Sequence, residues 1–257
     1  MTTKAELRAN ARKRIVFEGP RGVGKTTCLV GIAKEYAELG HDVLYLDLGT
    51  EEGASDELLE LSDEVLAHIE YKQMRTFLDF VNIIGKKRWG LIVADAIQNL
   101  RTISNEVTVD ALIASGGDKE DGVHLLQKLR SINGVAHPSA LSWGKGTGLS
   151  KDYDRAFFDR LWDMRCDVLC GINTKSIAAG ENYAELLAGQ FDMVLQLERV
   201  QEGNTWTFRF GVEKVRGVKF TEARYHRFER GENIVKTAEG LVGKSRPIPK
   251  PSELPAV

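Results

Sequence analysis

Cysteine is scarce in this sequence: three in 257 residues, Cys28, Cys166 and Cys170, with no metal-ligand spacing. An odd, sparse set excludes a disulfide framework or a zinc site, and it points to a reducing compartment. Core packing, rather than a redox role, is the expected role of Cys166 and Cys170. A cationic excess is missing as well. Thirty-five Lys and Arg face 37 Asp and Glu, so no global positive field announces a nucleic-acid partner. A local basic loop could still bind phosphates within a neutral protein. No apolar run approaches the ~20 residues of a membrane-spanning helix, and residues 1–14 are polar, without the apolar centre of a secretory signal. The expectation is a cytoplasmic protein with no membrane partner. Proline is rare too, and four of the six crowd into 247–255. That stretch can hold neither a helix nor a central strand, so residues 241–257 are expected to form a disordered tail.

What is present is an ordinary globular mixture, 42% hydrophobic and 28% charged, long enough for one large domain. Residues 14–18 predict a buried strand running into a glycine loop. Residues 25–39 predict a helix, with Leu29, Ile32, Ala33, Tyr36 and Ala37 on one face and Gly40 as its stop. A strand over 43–46 leads into an acidic stretch at 47–52. Helices are expected over 55–69 and 73–84, then a strand over 89–94 ending at Asp95. Residues 97–150 are hard to read beyond a helix at 123–132. A helix at 152–164, a strand at 167–172, a small-residue loop and a short helix near 183–187 follow. From 191 the pattern is all strand, at 193–197, 206–212 and 225–228. This order implies an α/β fold: a mostly parallel central sheet flanked by helices, with an antiparallel C-terminal extension. The expected organisation is a polar arm at 1–13, a core at 14–240 and the tail.

Gly19-Pro20-Arg21-Gly22-Val23-Gly24-Lys25-Thr26 matches the G-x4-G-K-[ST] phosphate loop at every required position. Glycines let backbone N–H groups turn inward around a phosphate, and the following helix adds its positive end. Lys25 is expected at the β and γ phosphates, the Thr26 hydroxyl on Mg²⁺, and Thr27 near the α phosphate. The cofactors implied are ATP and magnesium.

A second acidic element should hold that cation. Asp95, ending Leu91-Ile92-Val93-Ala94, is the candidate, on a strand expected beside the phosphate-loop strand. Hydrolysis also needs a base or water-orienting group. Asp47, Glu51 and Glu52 follow the second strand, at the rim where ligands bind in such folds. Glu51 and Glu52 are preferred, because Asp47 lies nearer the strand.

These motifs together resemble the RecA/KaiC/DnaB branch of P-loop ATPases. Val43 to Asp47 followed by acids is similar to that branch's second strand with its catalytic glutamate. Trp89 to Ile97 is similar to its magnesium strand. Leu169 to Thr174 resembles the strand ending in a γ-phosphate sensor, which implies Asn173 in that role, since the usual amide position holds Thr174. Lys214-Val215-Arg216-Gly217 resembles the KaiC-type Lys-x-Arg element, which implies that Lys214 and Arg216 reach a neighbouring subunit's γ phosphate. Leu48-Gly49-Thr50, inserted before Glu51, leaves open which glutamate is catalytic. Leu141 to Gly144 and Tyr153 look like the short RecA-like ATPases encoded by phages, associated with single-strand annealing and recombination; the compartment would then be a host's cytoplasm.

The resemblance implies a homo-oligomer, ring or filament, with ATP at subunit interfaces. Its preferred activity is a DNA-acting ATPase of recombination or replication. Loops at 103–145 and 174–189 would face single-stranded DNA, the second offering Lys175 and Tyr183. A KaiC-like regulatory ATPase, and a nucleotide-gated assembly module with little turnover, are the alternatives.

Overall fold

A computed structural model describes residues 12–49, 53–104, 145–174, 190–216, 225–229, 232–243, 248 and 250–253. The chain divides into two compact units. The first comprises Met1–Gln73, Lys86–Gln98 and Arg165–Val257; the second comprises Met74–Gly85 and Asn99–Met164.

The first unit is built on one eight-stranded sheet. Its strands are β1 (Arg14–Gly19), β2 (Val43–Asp47), β3 (Ile69–Gln73), β4 (Leu91–Asp95), β5 (Asp167–Asn173), β6 (Met193–Glu202), β7 (Thr205–Val215) and β8 (Tyr225–Arg227). The order is β3-β2-β4-β5-β1-β6-β7-β8. All pairs from β3 to β6 are parallel; β7 and β8 continue the sheet antiparallel. The central strands β2 and β4 are buried at every position, the pattern required of parallel strands covered on both faces. The mostly parallel α/β sheet with an antiparallel C-terminal extension, expected from the sequence, is present.

One face carries the core. Ile15 and Phe17 of β1, Tyr45 of β2, Val93 of β4 and Leu169 of β5 pack against α1 (Lys25–Glu38), α2 (Gly53–Leu59) and α3 (Asp63–Leu66). A Phe17 side chain removed wholly from water contributes roughly 2–3 kcal/mol. The three cysteines are buried and unpaired. Burial pushes the Cys28 thiol up to about 12, so these are packing groups.

Two elements differ from the expected pattern. The helix expected over 55–69 breaks at Ser62, whose extended backbone starts α3, and the chain then enters β3. Only Ile69 of that edge strand is buried, so the alternation that marks a strand is faint. Near the C-terminus, residues 234–241 form a helix (Ile234–Leu241). Asn233 caps it by accepting from the Val235 and Lys236 N–H groups. Ile234, Val235 and Ala238 enter the core, and Ile248 packs on its margin. Lys13 pairs with the buried Glu239 at 2.9 Å, tying this helix to the start of β1.

The second unit contains α4 (Phe77–Ile84) and α5 (Lys145–Asp163); the capped helix of the first unit, Ile234–Leu241, is α6. Thr76 and Asp79 close a capping box at the start of α4. Phe77, Phe80, Tyr153, Phe157 and Phe158 form a connected aromatic cluster. Asp154 accepts from Ser104 at 2.6 Å and pairs with Arg101. Among the described residues, no helix is long and apolar enough to cross a membrane.

Candidate nucleotide site

The site forms where β1 ends. Parallel strands point their C-terminal ends to one edge, and β1, β2, β4 and β5 deliver Gly19, Asp47, Asp95 and Asn173 to it. Between β1 and α1 the chain makes the glycine loop. Gly22 and Gly24 adopt left-handed φ values of 75° and 84°, which a side chain would strain. Gly24 is the N-cap of α1, makes no side-chain capping bond, and is followed by no acid in the first turn. The leading N–H groups of a 14-residue helix therefore face the loop with no carboxylate of their own helix to answer them, an arrangement that fits an anion. Lys25 is buried and donates to the carbonyls of Gly19 (2.9 Å) and Pro20 (2.7 Å). Burial lowers its ammonium to about 8, opposed by Asp95 and assisted by Arg21.

Thr26 and Asp95 meet. The Thr26 hydroxyl donates to Asp95 Oδ2 at 2.7 Å, although the neighbour relation expected from the sequence is wrong. Asp95 lies on β4, and β5 stands between β4 and β1. Gly171 of β5 makes the reach possible, because it has no side chain where the carboxylate crosses. Two further donors hold that carboxylate: the Tyr45 hydroxyl at 3.2 Å on Oδ2 and the Ala96 N–H at 2.8 Å on Oδ1. Ala96 takes a left-handed φ of 56°, unusual for a residue with a Cβ and a common mark of functional sites. Burial raises the Asp95 carboxyl above its usual range, against the bonds from Thr26 and Ala96.

A hydroxyl and a carboxylate touching at the foot of a phosphate cradle are hard oxygen donors, and they fit a divalent cation such as magnesium. Among the described residues there is no group of three or more His, Cys, Asp or Glu that could form a closed metal cage. A cation here would rely on phosphate oxygens and water for its remaining ligands, as magnesium does.

Asn173 pairs in register with Gly19, its N–H donates to Gln98 Oε1 at 3.1 Å, and the Thr174 N–H donates to Gly19 O at 3.2 Å. It therefore sits beside the first residue of the loop. The Thr27 hydroxyl donates to Glu57 of α2 at 2.8 Å. Asp47 is buried and already committed, accepting from the Gly49 N–H at 2.7 Å and the Tyr71 hydroxyl at 2.9 Å. Glu51 and Glu52 lie outside the described residues, as do Lys175 and Tyr183.

Lys214 and Arg216 stand away from this loop. Lys214 is paired with Val194, which is level with Val16 in β1. The Arg216 N–H donates to Asp192 O, its guanidinium pairs with the Asp192 carboxylate at 3.0 Å, and Asp192 bonds Arg14. Arg14 is five residues before Gly19, about 16 Å along the strand. Arg216 is thus tied to the end of β1 opposite Gly19, and Lys214 lies on β7, two strands from β1.

Sequence reasoning passed over Tyr45, Gln98, Glu57 and Gly171. Their roles depend on which strands are neighbours, and local spacing does not carry that. Glu18, directly before Gly19, is also buried, on the sheet face opposite Phe17. Burial, and secondarily Glu213, pushes its carboxyl up to about 7.

The fold is a mostly parallel α/β sheet with a glycine loop between its first strand and first helix. No protein-family model and no curated protein sequence matches the chain. Among solved structures it is similar to the flagellar accessory protein FlaH from Methanocaldococcus jannaschii, at 12% identity and a TM-score of 0.48 over 89% of this chain and 92% of that one. It is similar also to the KaiC-like protein PH0186 from Pyrococcus horikoshii OT3, at 15% identity and a TM-score of 0.49 over 85% and 86% of the two chains.

Proposed function

We propose that this chain binds ATP with magnesium and hydrolyses it as a RecA-like ATPase acting on single-stranded DNA, with ATP at the subunit interfaces of a homo-oligomer. The observation that carries the ATPase reading is the 2.7 Å contact between Thr26 and Asp95 beneath an uncapped helix start. A glycine loop alone is a turn; a glycine loop whose following hydroxyl meets a buried carboxylate from another strand is a cation-and-phosphate site.

Each residue then has a defined task. The loop N–H groups and the α1 terminus bind phosphate oxygens. Lys25 trades its two carbonyl partners for the β and γ phosphates. Thr26 and Asp95 would hold a magnesium ion, which would supply positive charge against the phosphate oxygens. Glu51 or Glu52 orients the attacking water, and Asn173, beside Gly19, reports on the γ phosphate. The position of Lys214 and Arg216, remote from their own loop, supports the reading that they serve a neighbour's nucleotide. Such cations stabilise charge developing in phosphoryl transfer and tie turnover to assembly.

The DNA reading rests on the resemblance to RecA-like recombination ATPases and on the loops at 103–145 and 174–189. Steady-state ATPase turnover with and without single-stranded DNA tests it. Strong stimulation is expected. Turnover indifferent to DNA would instead favour a KaiC-like regulatory ATPase, and nucleotide-dependent oligomers without turnover would favour an assembly module.

A further inference from the structure

β6 leaves its partner β1 at Gln196 but continues six residues further, to Glu202, beyond the end of β1. It passes hard against the phosphate loop: a Cβ on Gly19 would lie 2.4 Å from the Leu197 carbonyl oxygen. Arg199, two residues on, points to the same sheet face as Leu197, and that face carries Phe17 and α1. Its Nη1 lies 3.8 Å from where a Cβ on Gly22 would stand.

Three arginines rise on this ribbon, and they are not equivalent. Arg209 and Arg227 both pair with the Glu202 carboxylate, which also accepts from Thr207. Arg199 has no ion pair among the described residues. Its guanidinium lies 4.2 Å from the centroid of the exposed Trp206 ring instead. Stacking on an aromatic face fixes the plane of a guanidinium and leaves its charge uncompensated.

We infer that Arg199 is a phosphate-discriminating residue acting within its own subunit: held by Trp206, it contacts the terminal phosphate of a nucleoside triphosphate seated on Gly19 to Thr27. The inference rests on the phosphate-loop reading and adds to it a residue of the same chain, distinct from Lys214 and Arg216. Its consequence is preference for triphosphate over diphosphate before any neighbouring subunit arrives.

The test is calorimetric titration of the full chain with magnesium and either a non-hydrolysable ATP analogue or ADP, under conditions where the protein is monomeric. Arg199→Ala should weaken the triphosphate analogue about tenfold and ADP by less than about twofold. Arg199→Lys should recover part of the difference, and Trp206→Ala should shift it in the direction of Arg199→Ala. Equal losses for both nucleotides, or none for either, would overturn the inference while leaving the phosphate-loop reading intact. A wild-type chain that binds neither nucleotide would overturn both. Circular dichroism checks that each variant remains folded; both positions are exposed on the ribbon.

Discussion

A Cβ on Gly171 would lie 2.3 Å from Asp95 Oδ1 and 2.9 Å from Leu29 Cδ1. Gly171 belongs to β5, the strand that separates Asp95 from the phosphate loop. The carboxylate reaches Thr26 only because this position is bare. Gly171→Ala should therefore push Asp95 off Thr26. Overpacking of this kind costs about 1–3 kcal/mol, visible as a lower melting temperature. The diagnostic effect is on magnesium. Half-saturating Mg²⁺ for ATP turnover should rise at least about tenfold, while metal-free nucleotide binding changes little. A variant with wild-type magnesium dependence would show that the crossing at Gly171 does not matter to the site.

Tyr45 is the second support of the same carboxylate. It is fully buried, and its hydroxyl bonds Asp95. Tyr45→Phe keeps the ring and removes the donor, a loss of about 1 kcal/mol. The expected outcome is a several-fold rise in half-saturating Mg²⁺ with a melting temperature lowered by a few degrees. Metal titration of ATP turnover, set beside thermal unfolding, separates this from a purely structural effect. A lower melting temperature with unchanged magnesium dependence would confine Tyr45 to packing.

The phosphate loop was legible in the sequence because its chemistry is local: eight consecutive residues, placed between a strand and a helix, carry it whole. Asp95 was legible as a strand-end carboxylate. Its neighbour was not, because sequence order does not give sheet order; β5 joins the chain some 70 residues after β4 yet inserts beside it. Gly171 and Tyr45 matter only through that insertion, so no spacing rule could find them. β3 was missed between the two expected helices because an edge strand with a single buried residue lacks a strong period of two. The last helix carried its signal in Asn233, a capping residue before Ile234-Val235, masked by the surrounding strand pattern.

Asp47 is the weaker candidate for the base, because the Gly49 N–H and the Tyr71 hydroxyl each hold one of its oxygens and fix it at the end of β2. That favours the acids after it. Replacing Glu51 and Glu52 together by Gln should lower kcat by about 10²-fold or more and leave ATP affinity within a few fold. Single-turnover hydrolysis and equilibrium binding measure the two effects separately. If hydrolysis survives the double change, the water is oriented elsewhere, and Glu57, already bonded to Thr27, is the next carboxylate to replace.

Glu18 predicts a pH dependence of stability. Its carboxyl titrates at about 7 in the folded chain against 4.5 when free, chiefly through burial and then through Glu213. Between those values the folded state holds a proton that the unfolded chain has released, so stability falls as pH rises across the interval. The contribution is whole below about 4.5 and gone above about 7. Its size is on the order of 2 kcal/mol, allowing for water that reaches the carboxyl. Glu18→Gln keeps the shape and removes the titration. The difference in urea midpoint between wild type and Glu18→Gln should therefore widen from pH 5 to pH 8, with the variant holding its stability as the wild type declines. Parallel pH profiles for the two proteins would mean that Glu18 is solvated and ionises freely beside the phosphate loop.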